Sequence, residues 1–135
     1  MLGTTQFIML EGAKKMLAAG EAEARKNNWN VAITIVDANG DLIMFQKLDE
    51  TQPGSIAISQ GKARTAALFK RPTKALEEMI AGGKTAFLAL DGIVPLQGGV
   101  PVVADGKVIG AVGVSGVTSA QDEQVAMAAI AVLKE

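Results

Sequence analysis

The run from Gly98 to Glu123, GGVPVVADGKVIGAVGVSGVTSAQDE, constrains the fold more than any other part of the chain. Val100 to Ala104 and Lys107 to Ser115 are rich in β-branched residues, and Asp105-Gly106 between them is a two-residue turn that tolerates the positive φ angles a tight hairpin needs. The spacing therefore predicts an antiparallel hairpin. In its second strand Ala111, Gly113 and Ser115 alternate with Gly110, Val112 and Val114. Small residues on both faces mean that something approaches closely, whether a packed helix, a second subunit or a ligand. After Ser115-Gly116 the chain turns, and Ser119 is placed to cap a helix from Ala120 to Lys134. Asp122 and Glu123 fall in its first turn, where negative charge meets unpaired N–H groups.

The rest of the chain repeats this grammar. Val31 to Val36 and Leu42 to Leu48 flank a turn at Asn39-Gly40, which predicts a second hairpin whose first strand is apolar on both faces. Helical periodicity covers Thr4 to Lys26, with Thr4 or Thr5 as cap and Met9, Ala13, Met16, Leu17, Gly20 and Ala24 on one stripe. A further helix runs from Ser55 to Phe69, with Ile58, Ala63 or Lys62, Ala66 and Phe69 at helical spacing. Gly61 inside it costs about 1 kcal/mol relative to alanine, which implies close packing there. Pro72 ends that helix and Thr73 caps a short one to about Ala81. Lys84 to Gly92 leans toward irregular or short helical structure, and the proline- and glycine-rich run from Asp91 to Pro101 reads as a shaped loop. Both strand pairs being hairpins, the fold class is α+β, an antiparallel sheet with flanking helices in one domain, 1–135.

Composition narrows the chemistry. At 135 residues with 49% hydrophobic content, the chain can bury a core without staples. It has no His, Cys or Tyr, so the usual general base, thiol nucleophile, phenolate and zinc ligands are absent, and side-chain catalysis falls to Asp, Glu, Lys, Ser or Thr. A net charge of −1 with no basic run argues against nucleic acid. No apolar run reaches the ~20 residues a spanning helix needs, and the N-terminus lacks a signal-peptide pattern; the expectation is a cytoplasmic protein with no membrane role.

Several segments together carry a family resemblance. Gly98-Gly-Val-Pro-Val-Val, Asp105-Gly-Lys-Val-Ile-Gly-Ala-Val-Gly-Val-Ser-Gly and Gln121-Asp-Glu stand in order after Ile33-Thr-Ile-Val-Asp-Ala-Asn-Gly-Asp-Leu, Gly54-Ser-Ile with Gln60-Gly-Lys-Ala, and Phe69-Lys-Arg-Pro-Thr. Across nearly the whole chain this order resembles the GlcG/HbpS-type haem-binding family, whose domain also forms the C-terminal part of PduO-type corrinoid adenosyltransferases. The resemblance implies a profilin-like or PAS-like sandwich of two or three layers with about five strands. It also implies homodimers or larger homo-oligomers, and a ligand of the tetrapyrrole class, haem or cobalamin. Of the side chains that ligate haem iron, this chain offers only methionine.

The candidate ligand-binding residues are Lys62, Arg64, Gly98, Gly99, Ser115 and Asp122, gathered where the Gly98-Gly99 loop, the Ser55 to Phe69 helix and the start of the last helix meet. Lys62 or Arg64 would hold a carboxylate or propionate, or else form a solvated helix face. Gly98-Gly99 would turn backbone N–H groups toward a ligand oxygen, or simply bend into the next strand. Asp122 needs no role beyond the helix dipole. No metal-ligand cluster is present. Two alternatives to a small-ligand-binding protein stay open. One is a catabolic lyase or isomerase of small oxo or hydroxy acids, with Lys62 or Arg64 on the carboxylate and Asp37 or Asp122 moving a proton. The other is a non-catalytic assembly module.

Overall fold

Both hairpins form, and they join into one layer. In the computed structural model, which describes residues 1–134, β1 (Ala32–Asp37) pairs with β2 (Leu42–Lys47), and β3 (Gly99–Ala104) with β4 (Lys107–Ser115). β1 then pairs antiparallel with β4, from Ala32 opposite Ser115 to Asp37 opposite Gly110, giving the order β2-β1-β4-β3. The turn at Asp105 (φ 50) and Gly106 (φ 76) has the two positive φ angles its sequence specifies. Asp37 serves the other turn, its Oδ1 accepting from the Asn39 and Asp41 N–H groups.

The sheet has four strands, one fewer than expected. The apolar segment just before the proline- and glycine-rich loop forms a 3-10 turn, Thr85–Ala89. The loop after it is drawn onto a helix by the Val94 N–H bond to Thr65 Oγ1, 2.9 Å, so it supplies no strand.

Helices cover both faces, giving three layers. α1 (Leu10–Lys26) and α4 (Ser119–Ala131) lie on the face formed by Ile33, Ile35, Val112 and Val114. Ala13, Met16, Leu17, Gly20 and Ala24 of α1 are buried as the periodicity predicts. α1 starts later than predicted, because residues before it run extended so that Ile8 lies across Gly110, where a Cβ would meet Ile8 Cδ1. Thr4 and Thr5 therefore cap nothing, and Met9 stands exposed. α4 is capped by Thr118 rather than Ser119: Thr118 Oγ1 accepts from Gln121 N–H, and Gln121 returns the bond.

α2 (Ser55–Phe69) covers the opposite face over β1, β4 and β3, and α3 (Thr73–Ala81) follows it. It lies unusually close. A Cβ on Gly113 would come 2.2 Å from the Ser59 carbonyl oxygen and 2.4 Å from the Ala63 nitrogen, so the small residues of β4 admit a helix. This thin gap decides which residues face inward. Ser55, Ser59, Lys62, Ala63, Ala66 and Ala67 are buried, in place of the bulkier Ile58 and Phe69, which are half-buried. The polar members find partners, Ser59 Oγ with Thr34 Oγ1 at 2.9 Å and Ser55 Oγ from Ser115 at 3.1 Å. Gly61 faces outward against Val94, whose Cγ2 would be 2.2 Å from an added Cβ.

Gly113→Val is expected to lower unfolding free energy by at least about 1–3 kcal/mol, the usual range for overpacking, since the obstacle is helix backbone. Urea unfolding followed by circular dichroism measures this, and wild-type stability in the variant would contradict the close contact.

Candidate functional site

Five of the six candidate residues converge, and they do so inside the protein. Lys62 projects from α2 past the end of β4, its Nζ donating to the Val114 carbonyl oxygen at 2.9 Å and to Asp122 Oδ2 at 3.0 Å. Both side chains of the pair are about 3% exposed. Asp122 Oδ1 accepts from the Val117 N–H, 3.1 Å, so one carboxylate closes the turn before α4 and receives the lysine. Gly98 and Gly99 pack against Lys62: a Cβ at Gly98 would be 2.7 Å from its Nζ, and one at Gly99 2.3 Å from its carbonyl oxygen. Gly99 N–H donates to Thr73 Oγ1 at 2.9 Å, which anchors the loop to α3. Ser115 completes the cluster beside Ser55. Neither outcome weighed for Lys62, a solvated face or a pocket wall, describes this geometry.

Burial holds the Asp122 carboxyl above the ordinary aspartate range, a push that the Lys62 charge and the Val117 N–H only partly offset. The catalytic alternative placed proton transfer on Asp122 or Asp37. Asp122 is sealed against Lys62, and Asp37 is occupied by its own turn.

Arg64 stands apart from the cluster. It is exposed, on the side of α2 that looks toward the β1–β2 hairpin, and its Nη1 lies 3.4 Å from the Gly92 carbonyl oxygen.

An apolar cleft lies on the other face of the sheet. Of about 350 Å³, it is walled by Phe7, Ile8 and Met9 before α1, Gly12 on α1, Val102, Val103 and Ile109 of the β3–β4 hairpin, and Ile130 and Leu133 at the end of the chain. Phe7 and Met9 are 72% and 63% exposed at its mouth. Gln6 and Glu11 are its other polar contributors. The helical pattern over residues 4–26 conceals this cleft, because it assigns Met9 to the core; the run Phe7-Ile8-Met9-Leu10, apolar on every side, is the one trace of it. Among the described residues no group of three or more His, Cys, Asp or Glu could hold a metal ion, and no helix is long and apolar enough to cross a membrane.

Comparison with known proteins places these features in a family context. The model of the family described as haem degrading protein HbpS-like matches residues 8–131. Protein GlcG of Escherichia coli K12 is 54% identical over 112 residues, 83% of this chain and 84% of that one. Among solved structures, a double mutant of Streptomyces reticuli HbpS superposes with a TM-score of 0.91 at 32% identity, covering 98% of this chain and 90% of that one. A PduOC:haem complex superposes with a TM-score of 0.86 at 25% identity, covering 93% and 94%.

The buried pair makes two predictions. Lys62→Met leaves Asp122 without its cation and is expected to cost about 3–5 kcal/mol of unfolding free energy. Because the folded pKa of Asp122 lies above its unfolded value, the native state holds this proton more tightly; the carboxyl's contribution to stability is present below the ordinary pKa of 3.8 and is lost as pH rises through the folded value. In urea titrations across that window, the stability difference between wild type and Asp122→Asn should shift in favour of Asn with rising pH. A shift the other way would show that Lys62 outweighs burial.

Proposed function

The chain belongs to the HbpS-like family of haem-degrading proteins, and on that premise we propose that it is a small-ligand-binding protein that takes a tetrapyrrole or a similarly flat, apolar molecule in the Phe7–Leu133 cleft. The observation that carries this reading is the cleft itself: about 350 Å³ of mostly apolar wall, within the range of small-molecule sites, with an aromatic ring and a thioether exposed at its mouth. Dispersion contacts with Phe7, Val102, Ile109 and Leu133 suit a macrocycle face.

The donor set does not suit ligation of haem iron. Iron in haem proteins is held by His, Cys, Tyr, or Met opposite His, and three of these four residue types are missing here. Met9 is the one soft donor on the cleft wall. Binding in this reading is therefore to the organic ring and not to its metal, and it holds equally for a corrinoid, a haem or a metal-free porphyrin.

A second reading, self-association, has its own observation. Residues 81–92 contain no buried side chain, yet Leu88 and Leu90 stand 61% and 44% exposed there, with Leu96 at 43% beyond them. Exposed leucines this close along the chain suit a contact between copies of it. Sedimentation of the wild type should give a dimer or larger species that Leu88→Asp with Leu90→Asp reduces toward monomer; a monomeric wild type would remove this reading.

Titration with haemin and with metal-free protoporphyrin tests the first reading. Both should bind saturably, with affinities within about tenfold of one another. Phe7→Ser with Met9→Ser, two exposed positions that leave the core intact, should weaken both ligands together. The proposal fails if neither ligand saturates, and its iron-independent form fails if haemin alone binds with a six-coordinate spectrum.

A further inference from the structure

Because α2 covers β1, β4 and β3 but stops short of β2, a trough of about 220 Å³ remains between the helix and the β1–β2 hairpin. Thr34, Val36 and Leu42 form its floor, Gln60 and Arg64 its wall, and Gly40 its closed end. Val94, packed over Gly61, adjoins the wall. It lies on the opposite face of the sheet from the Phe7–Leu133 cleft.

Arg64 is exposed but not loose. A Cβ on Gly40 would lie 3.0 Å from its Cγ, and one on Gly92 would lie 2.9 Å from its Nη1. Gly40 and Gly92 have φ values of +79° and +75°, so each backbone takes a shape that glycine accommodates and passes where a side chain would strike the arginine. The side chain is thus flanked by Gly40 at its Cγ and by Gly92 at its guanidinium, with less freedom to lose on binding. Its bonding capacity is nearly unspent. Among the described residues it joins no ion pair, and its one hydrogen bond, to the Gly92 carbonyl oxygen, is 3.4 Å long. The Gln60 carboxamide, one helical turn earlier, has no partner among the described residues. The nearby carboxylate of Asp37 is turned into its own loop by the Asn39 and Asp41 N–H groups.

We propose that this trough is a second ligand site, which takes a short-chain organic carboxylate: the guanidinium fork of Arg64 receives the carboxylate, Gln60 bonds a second polar atom, and the exposed Leu42 side chain covers the short carbon chain. An arginine fork pairs bidentately with carboxylate, and the aliphatic Leu42 beside it favours an organic acid over an inorganic anion. The volume is below the roughly 300–1,000 Å³ of sites for drug-sized molecules, which limits the ligand to a small one. The proposal is independent of the porphyrin reading, since it uses other residues on another face.

Proton–nitrogen correlation spectra of the full chain, titrated with propionate and separately with propionamide and sulfate, test it. Propionate should produce saturable shifts at the Gly40 and Gly92 amides and at the Arg64 Nε–H, while propionamide, its uncharged isostere, produces none. Sulfate should compete poorly. Arg64→Gln should weaken propionate at least about tenfold with the remaining spectrum unchanged, and Arg64→Lys should fall between, since a point charge replaces the fork. No saturable shift, equal response to propionamide, equal displacement by sulfate, or full binding by Arg64→Gln would each overturn the proposal. If the glutamine variant fails to fold, the comparison of propionate with propionamide on the wild type still decides.

Discussion

A single buried lysine bridges the three layers. Lys62 starts in the helix on one face of the sheet, passes the last residues of β4, and ends on the carboxylate that opens the helix on the other face. Two charges removed from water carry a desolvation cost of several kcal/mol each, and their attraction offsets it only with good geometry and further hydrogen bonds. Here Val114 O and the Val117 N–H supply those bonds. The raised affinity of Asp122 for its proton shows that the offset is incomplete. Such a pair contributes little net stability, but it penalises every arrangement in which α2 and α4 slip relative to one another.

The same requirement explains the glycines. Gly98, Gly99 and Gly113 all lie where a Cβ would strike Lys62 or the α2 backbone. They are the spaces through which a helix with a polar underside approaches a sheet closely enough for Ser55, Ser59 and Lys62 to find partners. A ligand at these positions would compete with the protein's own packing. Open space lies elsewhere, including two places where helices leave the sheet uncovered: beside the late start of α1, and beyond the edge of α2 along β2.

These two openings differ in chemistry because they differ in what lines them. On one face, an extended N-terminal segment brings Phe7 and Met9 over aliphatic strand residues, leaving an apolar surface without a cation among its wall residues. On the other, the outer side of α2 brings an arginine and a glutamine over a narrower apolar floor. The sheet separates them, so one domain can present an apolar face and a charged one to different molecules.

How far the sequence foretold this follows the range of the interactions involved. Turn residues such as Asp105-Gly106 and Asn39-Gly40 act within a few positions, so the hairpins, the α+β class and the helix stripe from Ala13 to Ala24 are legible in the one-dimensional chain. The close approach at Gly61 and Gly113 was legible as a need, but not its agent, because Val94 and Ala63 come from distant segments. Lys62 and Asp122, 60 positions apart, were recognisable as neighbours of one site; only the tertiary structure decided that they face each other out of water. It also decided that Arg64, two residues from Lys62 on the same helix, faces solvent, since rotation about a helix axis relative to its sheet is set by the packing of the whole layer and is written in no local motif.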